Sequence, residues 1–205
     1  IAFDLAFKYR NPAIILADGV IGQMMEKVVL PEQRTRLTDE EVIARCPWAT
    51  TGRTHHRTPN IITSLELDPA EMEKRNIHLQ KKYAEIEENE VRFEELHCED
   101  AEYLIVAFGS CARIAQKAME IAREEGIKVG LLRPITLWPF PSKAIAARAA
   151  QVKGILTVEL NAGQMVEDVR LAVECKVPVE HFGRLGGIVP DPDEVITALK
   201  EKLIK

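Results

Sequence analysis

The stretch that decides the fold lies at residues 131–141, which read Leu131-Leu132-Arg133-Pro134-Ile135-Thr136-Leu137-Trp138-Pro139-Phe140-Pro141. It continues from an apolar strand predicted at residues 129–132 and ends where a helix is predicted to start. Each of its three prolines fixes φ and lacks a backbone N–H, so we expect neither helix nor inner strand here. The sequence therefore predicts a stiff strand-to-helix crossover that packs through its two aromatic residues. An ordinary proline-rich connection is the alternative.

Strand and helix patterns alternate on both sides of this crossover. Residues 103–108 form an apolar run, and apolar side chains then recur at helical spacing until Gly126. Beyond the crossover the pattern predicts helix 142–151, strand 154–160, helix 163–174, strand 177–182 and helix 192–204. Such alternation predicts an α/β fold, an open and mostly parallel sheet with helices on both faces.

The first 98 residues are less regular. A helix is predicted before Pro12, a strand buried on both faces at residues 13–17, and a turn at Asp18-Gly19. Residues 31–68 are predicted to be a long connection, and a highly charged helix follows from Pro69, capped by Asp68. The chain starts with Ile1, inside an apparent helix, so we expect it to be part of a longer polypeptide.

Composition excludes several classes of protein. The 205 residues carry a net charge of −5, so no basic field favours nucleic acid or an anionic membrane. No apolar run approaches the ~20 residues that cross a bilayer, which favours a cytoplasmic protein. The four cysteines form no Cys-x-x-Cys pair, so neither zinc nor a cluster is predicted and the thiols are expected to be reduced. His55-His56 lacks a second ligand pair, and no metal ligand is predicted there.

Polar residues at the predicted strand ends are the candidate site. Glu159, Asn161 and Gln164 follow one strand and could recognise a polar ligand; equally, Asn161 could cap the next helix while Glu159 forms an ion pair. Gly109-Ser110 follows another strand, and a tight turn is favoured there over an anion site because no phosphate-binding fingerprint is present.

Two arginines complete the candidate set. Arg133 and Arg184 are expected at neighbouring strand ends, where they could bind phosphate or carboxylate. A subunit interface is favoured, because no phosphate fingerprint accompanies them. His181, inside a strand, is interpreted as a packed, hydrogen-bonded histidine, and no catalytic set can be assembled from sequence order.

These motifs carry a family resemblance. The crossover resembles that of transketolase C-terminal-type domains in thiamine-diphosphate enzymes. Tyr9-Arg10-Asn11-Pro12, Ala17-Asp18-Gly19 and Gly22-Gln23-Met24 resemble the end of the pyrimidine-binding domain in alpha subunits of 2-oxoacid:ferredoxin oxidoreductases. Residues 158–161, 163–170 and 183–187 resemble the second domain of that subunit. The resemblance spans almost the whole chain and fits best the branch acting on branched-chain 2-oxo acids such as 2-oxoisovalerate.

The resemblance implies a function for the complete assembly. That function is oxidative decarboxylation of a 2-oxo acid with coenzyme A, with electrons passing through iron–sulfur clusters to ferredoxin. Thiamine diphosphate, Mg²⁺ and the clusters are expected mainly on other subunits (beta, and cluster-bearing gamma and delta) or on the missing part of this one. The chain alone is expected to hold none of them and to be inactive. The alternatives are a non-catalytic docking domain, or the beta subunit of a 2-oxoacid dehydrogenase or a transketolase.

The resemblance also implies domains and site residues. Residues 1–31 correspond to the end of a pyrimidine-binding domain, 32–98 to a linker with a charged helix, and 99–205 to the transketolase C-terminal-like domain. No catalytic residue is expected in this chain. The residues expected near the thiamine pocket are Asp18, Gly19, Gly22 and Gln23. The interface or ligand candidates are Arg133, Glu159, Asn161, Gln164 and Arg184.

Overall fold

The computed structural model describes residues 1–49 and 61–204, so His55-His56 lies outside the described residues. Two compact units are present, one made of residues 1–24 and 80–205 and the other of residues 25–79. The helices are α1 (Ala2–Tyr9), α2 (Gly19–Gln23), α3 (Asp39–Arg45), α4 (Pro69–Asn89), α5 (Gly109–Glu124), α6 (Ser142–Ala149), α7 (Met165–Val173) and α8 (Pro192–Leu199), which continues as a π-helix over Lys200–Ile204. None of the helices in the described ranges has the length and apolar composition needed to span a membrane.

A five-stranded sheet organises the larger unit. Its strands are β1 (Phe93–Leu96), β2 (Tyr103–Ala107), β3 (Val129–Pro134), β4 (Gly154–Glu159) and β5 (Val179–Gly183). Their order across the sheet is β1-β3-β2-β4-β5, and all neighbours are parallel except β1 and β3. The predicted open, mostly parallel α/β sheet is therefore confirmed. The short antiparallel edge strand β1 was not predicted, because its two glutamates hide the apolar pattern.

Both faces of the sheet are covered, which explains the continuous apolar strands. On β2, Ile105 and Ala107 pack with α5 and α8 on one face, whereas Leu104 and Val106 pack with α6 and α7 on the other. Successive side chains of a strand point to opposite faces, so a central parallel strand must be apolar at every position. All four of these side chains are at most 1% exposed.

The proline-aromatic crossover follows β3 and packs on two sides. Phe140 contacts the core on the α6 and α7 face, while the half-exposed Trp138 meets Tyr83 of α4 edge to face, with 5.8 Å between ring centroids. The expectation that no inner strand extends into this stretch is wrong. β3 continues to Pro134, which lies opposite Phe93. Proline is tolerated at this place because the strand ends there, beside the sheet edge.

The N-terminal part of the larger unit begins with α1, which is attached through Glu90. Glu90 is 5% exposed, and its carboxylate accepts hydrogen bonds from Lys8 Nζ (2.7 Å) and the Tyr9 hydroxyl (2.8 Å). The strand predicted at residues 13–17 is not formed. Its side chains are exposed, with Ile14 at 86%, and they lie outside the sheet. An apolar run becomes a strand only where a neighbouring strand pairs with its backbone, which sequence alone does not supply.

The smaller unit contains α3 and the first half of α4. Asp68 caps α4 by accepting from the N–H of Ala70 (2.8 Å), as predicted. Helix α3 lies in the segment expected to be a connection. Its capping box joins Thr38 and Glu41, a Thr-x-x-Glu pattern that was readable in the sequence.

Candidate functional site

The sheet topology places the switch point of the strand order at the carboxyl ends of β2 and β4. The chain leaves β2 through α5 to reach β3 on one side, then crosses through α6 to β4 on the other side of β2. Open α/β sheets bind ligands at such a switch point, outside the carboxyl ends of the strands. The turns before α5 and before α7 both lie at this edge.

At the start of α5, a carboxylate of the same chain, that of Asp18, lies against the first turn of the helix. Gly109 has a φ of +58°, which favours glycine and permits the tight turn from β2. The Ser110 hydroxyl donates to Asp18 Oδ2 at 2.7 Å. This bond, together with the backbone N–H of Ile21, lowers the pKa of the Asp18 carboxyl. Gly109-Ser110 is thus the tight turn that was favoured, with an aspartate from a distant segment against it.

At the start of α7, the carboxylate of Glu159 lies against the first turn of the helix. Its side chain is 1% exposed, and its carboxylate accepts the N–H groups of Gln164 (3.2 Å), Met165 (2.8 Å) and Val166 (3.0 Å). Asn161 could have capped this helix, which was one of the two alternatives for these residues, but it does not. Asn161 instead accepts from the N–H of Gly163 (2.7 Å), closing the turn before the helix. The buried Glu159 carboxylate accepts the free N–H groups of the first turn of α7, because the glutamate side chain is long enough to reach three of them at once.

The histidine of β5 supports the same carboxylate. His181 Nδ1 lies 3.2 Å from the Thr157 hydroxyl and 3.4 Å from Glu159 Oε1. The imidazole ring of His181 also packs against Gly183, where an added Cβ would lie 2.6 Å from His181 Nε2. The interpretation of His181 as a packed, hydrogen-bonded side chain is therefore confirmed.

The two candidate arginines are far apart, so their expected placement on neighbouring strands is wrong. β3 and β5 are separated by β2 and β4, which puts the strands roughly 14 Å apart at the usual spacing. Arg133 pairs with Glu94 across the β1–β3 ladder (2.9 Å), and both side chains are about half exposed. Arg184 pairs with Glu194 of α8 (2.9 Å), while its Nε is buried without a hydrogen-bond partner among the described residues.

Two carboxylates at this edge act on the buried thiol of Cys111. Burial raises the pKa of the Cys111 thiol to about 11, and the charges of Asp18 and Glu159 add to the shift. The predicted residues Gly19, Gly22 and Gln23 are exposed beside Asp18. Within the ranges 1–49 and 61–204, no three His, Cys, Asp or Glu side chains are placed to hold a metal ion.

The structure thus brings together part of the predicted set. Asp18 reaches the start of α5, and Glu159, Asn161 and Gln164 build the start of α7, with Arg184 N–H bound to the Glu159 carbonyl oxygen (3.2 Å). Arg133 lies elsewhere. Sequence reasoning missed the bond between Asp18 and Ser110, because residues 92 positions apart carry no local signal of contact.

Comparisons with known proteins agree with this architecture. Residues 101–195 match the family described as pyruvate:ferredoxin oxidoreductase core domain II. Ketoisovalerate oxidoreductase subunit VorB of Methanothermobacter marburgensis is 45% identical over 200 residues, covering 98% of this chain and 55% of that protein. 2-Oxoglutarate synthase subunit KorA of Archaeoglobus fulgidus is 32% identical over 193 residues, covering 93% of this chain and 53% of that protein. The chain spans about half the length of these curated relatives.

A solved structure shows the same fold. The 2-oxoglutarate:ferredoxin oxidoreductase from Magnetococcus marinus, solved with 2-oxoglutarate, coenzyme A and succinyl-CoA bound, aligns with a TM-score of 0.62 and 26% identity over 72% of this chain and 28% of that one. Residues 101–195 thus match core domain II of pyruvate:ferredoxin oxidoreductase, and nearly the whole chain is similar to subunits of 2-oxoacid oxidoreductases.

Proposed function

We propose that this chain is part of the alpha subunit of a thiamine-diphosphate-dependent 2-oxoacid:ferredoxin oxidoreductase acting on 2-oxoisovalerate. The observation that carries the proposal is the 45% identity to a ketoisovalerate oxidoreductase subunit over 98% of the chain, against 32% to a 2-oxoglutarate synthase subunit. The reaction converts the 2-oxo acid, coenzyme A and two oxidised ferredoxins into the acyl-CoA, CO₂, two reduced ferredoxins and one proton.

Within that enzyme, we assign the chain a role in assembly. Both helix starts at the switch point face carboxylates of the chain, and both candidate arginines are paired with glutamates. These contacts support a structural role for the four residues. In this proposal, residues 1–31 form the end of a pyrimidine-binding domain, residues 32–98 are a linker with a charged helix, and residues 99–205 form the second domain. Thiamine diphosphate, Mg²⁺ and the iron–sulfur clusters are then held elsewhere in a cytoplasmic assembly with beta, gamma and delta subunits.

The proposal predicts a substrate order that can be measured. The full-length protein, co-expressed with its partner subunits, is supplied with coenzyme A, a viologen acceptor and either 2-oxoisovalerate, pyruvate or 2-oxoglutarate. We expect the fastest viologen reduction with 2-oxoisovalerate and none when coenzyme A is omitted or when this 205-residue chain is assayed alone. Fastest reduction with 2-oxoglutarate would overturn the substrate, and no reduction with any of the three would overturn the reaction class.

The assembly role has a separate test at Arg133. Its pair with Glu94 is exposed, so losing it changes folding stability by only about 0–1 kcal/mol. If Arg133 contacts another subunit, Arg133→Ala weakens subunit association on a sizing column while the circular dichroism spectrum stays unchanged. Lys153→Ala is the matched control, because Lys153 is another exposed cation paired with a single carboxylate, Glu102. Equal association of the two variants and the parent would remove Arg133 from the interface.

A further inference from the structure

Carboxylates of this chain itself lie at the switch point of its sheet. An open helix N-terminus at such an edge presents free N–H groups and a positive dipole end, which is the usual setting for a bound anion. Here Asp18, from a segment outside the sheet, reaches the start of α5, and Glu159 fills the start of α7. Each helix that begins at the β2 and β4 ends therefore has a carboxylate of this chain against its first turn.

One carboxylate of the pair joins two separate elements. Asp18 Oδ1 accepts the N–H of Ile21 at 2.9 Å and so caps α2, while Oδ2 accepts the Ser110 hydroxyl at 2.7 Å at the start of α5. Ser110 is 7% exposed, so this bond is shielded from water at one end. A hydrogen bond to a charged group in such a setting is stronger than one between neutral groups.

The rest of the segment offers little other attachment. From residue 12 to residue 24, only Asp18 and Val20 are partly buried, and the other side chains are exposed. The apolar side chains before Asp18 point to solvent, with Leu16 at 69% exposure. Asn11 marks the start of the segment and accepts from Lys82 Nζ at 3.0 Å. The Asp18 carboxylate is thus the main described link between α2 and the sheet.

We propose that the β2–β4 switch point is an internal docking site for residues 18–23, with Asp18 as its anchoring carboxylate. The edge that other open α/β sheets use for ligands here positions the chain's own segment. Asp18 is a positioning residue in this arrangement, and a free anion is excluded from the start of α5 because the carboxylate already lies there. The inference rests on contacts within one compact unit and holds whichever reaction the assembly performs.

Hydrogen–deuterium exchange of the full chain tests the docking. Ser110→Ala removes the link to α5 but leaves the cap of α2, whose protected amides include Gly22 and Met24. We expect exchange of these amides to accelerate about tenfold, the usual effect of losing a charge-assisted hydrogen bond. Asp18→Ala should accelerate it at least as much, and adding Ser110→Ala to Asp18→Ala should change it no further. Ser142→Ala, an exposed serine that starts α6, is the matched control and should leave exchange unchanged.

Two kinds of result would overturn the proposal, one from hydrogen exchange and one from phosphate binding. Unchanged exchange in Ser110→Ala, or independent and multiplicative effects of the two substitutions, would overturn the anchoring role. A titration with inorganic phosphate, followed by the amide resonances of Gly109 and Ser110, separates an anion site from a docking site. No shift in the parent protein supports the proposal, whereas saturable shifts would overturn it. Thermal unfolding of each variant establishes that the sheet remains folded during the comparison.

Discussion

The capping of α7 by Glu159 gives a prediction whose size follows from the structure. Glu159 Oε2 accepts hydrogen bonds from the N–H groups of Gln164 and Met165, and Oε1 accepts one from the N–H of Val166. Met165 and Val166 are each 4% exposed, so water cannot replace the carboxylate at these two donors without rearrangement. Each hydrogen bond to a charged group contributes roughly 1.5–3 kcal/mol. Glu159→Ala should therefore lower the free energy of unfolding by about 4 kcal/mol.

Glu159→Gln separates charge and acceptor number from side-chain volume. The amide oxygen can keep the two bonds of Oε2, but the amide nitrogen then faces the N–H of Val166, and one buried donor loses its acceptor. That loss costs about 2 kcal/mol, which corresponds to a melting temperature lower by about 4–8 °C in a chain of this size. Urea unfolding followed by circular dichroism measures both variants.

The control for this prediction is Glu180→Gln on the neighbouring strand β5. Glu180 shares its sheet face with Phe182, which packs on the α5 and α8 side, opposite α7. The substitution changes the charge equally and should alter stability by less than about 0.5 kcal/mol. If Glu159→Gln were equally silent, the argument that this carboxylate holds the first turn of α7 would be refuted.

Three further predictions concern other parts of the larger unit. Hydrogen bonds from Lys8 and Tyr9 lower the pKa of Glu90 from 4.5 to about 2, so the attachment of α1 is complete above pH 4.5 and weakens as the pH falls through about 2. Amide hydrogen exchange of α1 should therefore accelerate as the pH falls through this range, relative to the intrinsic exchange rate. Glu90→Gln should remove this pH dependence. Gly183→Ala would place a Cβ against the Asn161 carbonyl oxygen and should lower stability by about 3 kcal/mol or more, whereas Gly22→Ala meets nothing within 4 Å and should be neutral or slightly stabilising in thermal unfolding. Burial raises the pKa of Cys98 and Cys111 to about 11, so a thiol reagent at neutral pH should label the exposed Cys175 first and these two only on unfolding; early labelling of Cys111 would contradict the packing around β2.

Local patterns in the sequence determined most of the larger unit. The alternation from residue 103 onward predicted four strands and the helices between them to within a few residues, because burial on both faces demands uninterrupted apolar strands. Asp68 as the cap of α4 was also predictable, since a capping side chain lies within three residues of the N–H that it binds. Where an element depended on a distant partner, prediction failed. Residues 13–17 are as apolar as a buried strand, yet they are exposed because no strand of the sheet pairs with them.

The candidate site divides in the same way. The sequence by itself identified polar residues at the strand ends and a mostly parallel sheet whose carboxyl edge would gather them. Only the tertiary structure decided their partners: Glu159 rather than Asn161 caps α7, Arg133 and Arg184 are separated by two strands, and Asp18 crosses 92 positions to reach Ser110. The physical reason is that strand order and long-range hydrogen bonds depend on which crossovers close around the core. Helix and strand patterns, by contrast, depend on residues a few positions apart.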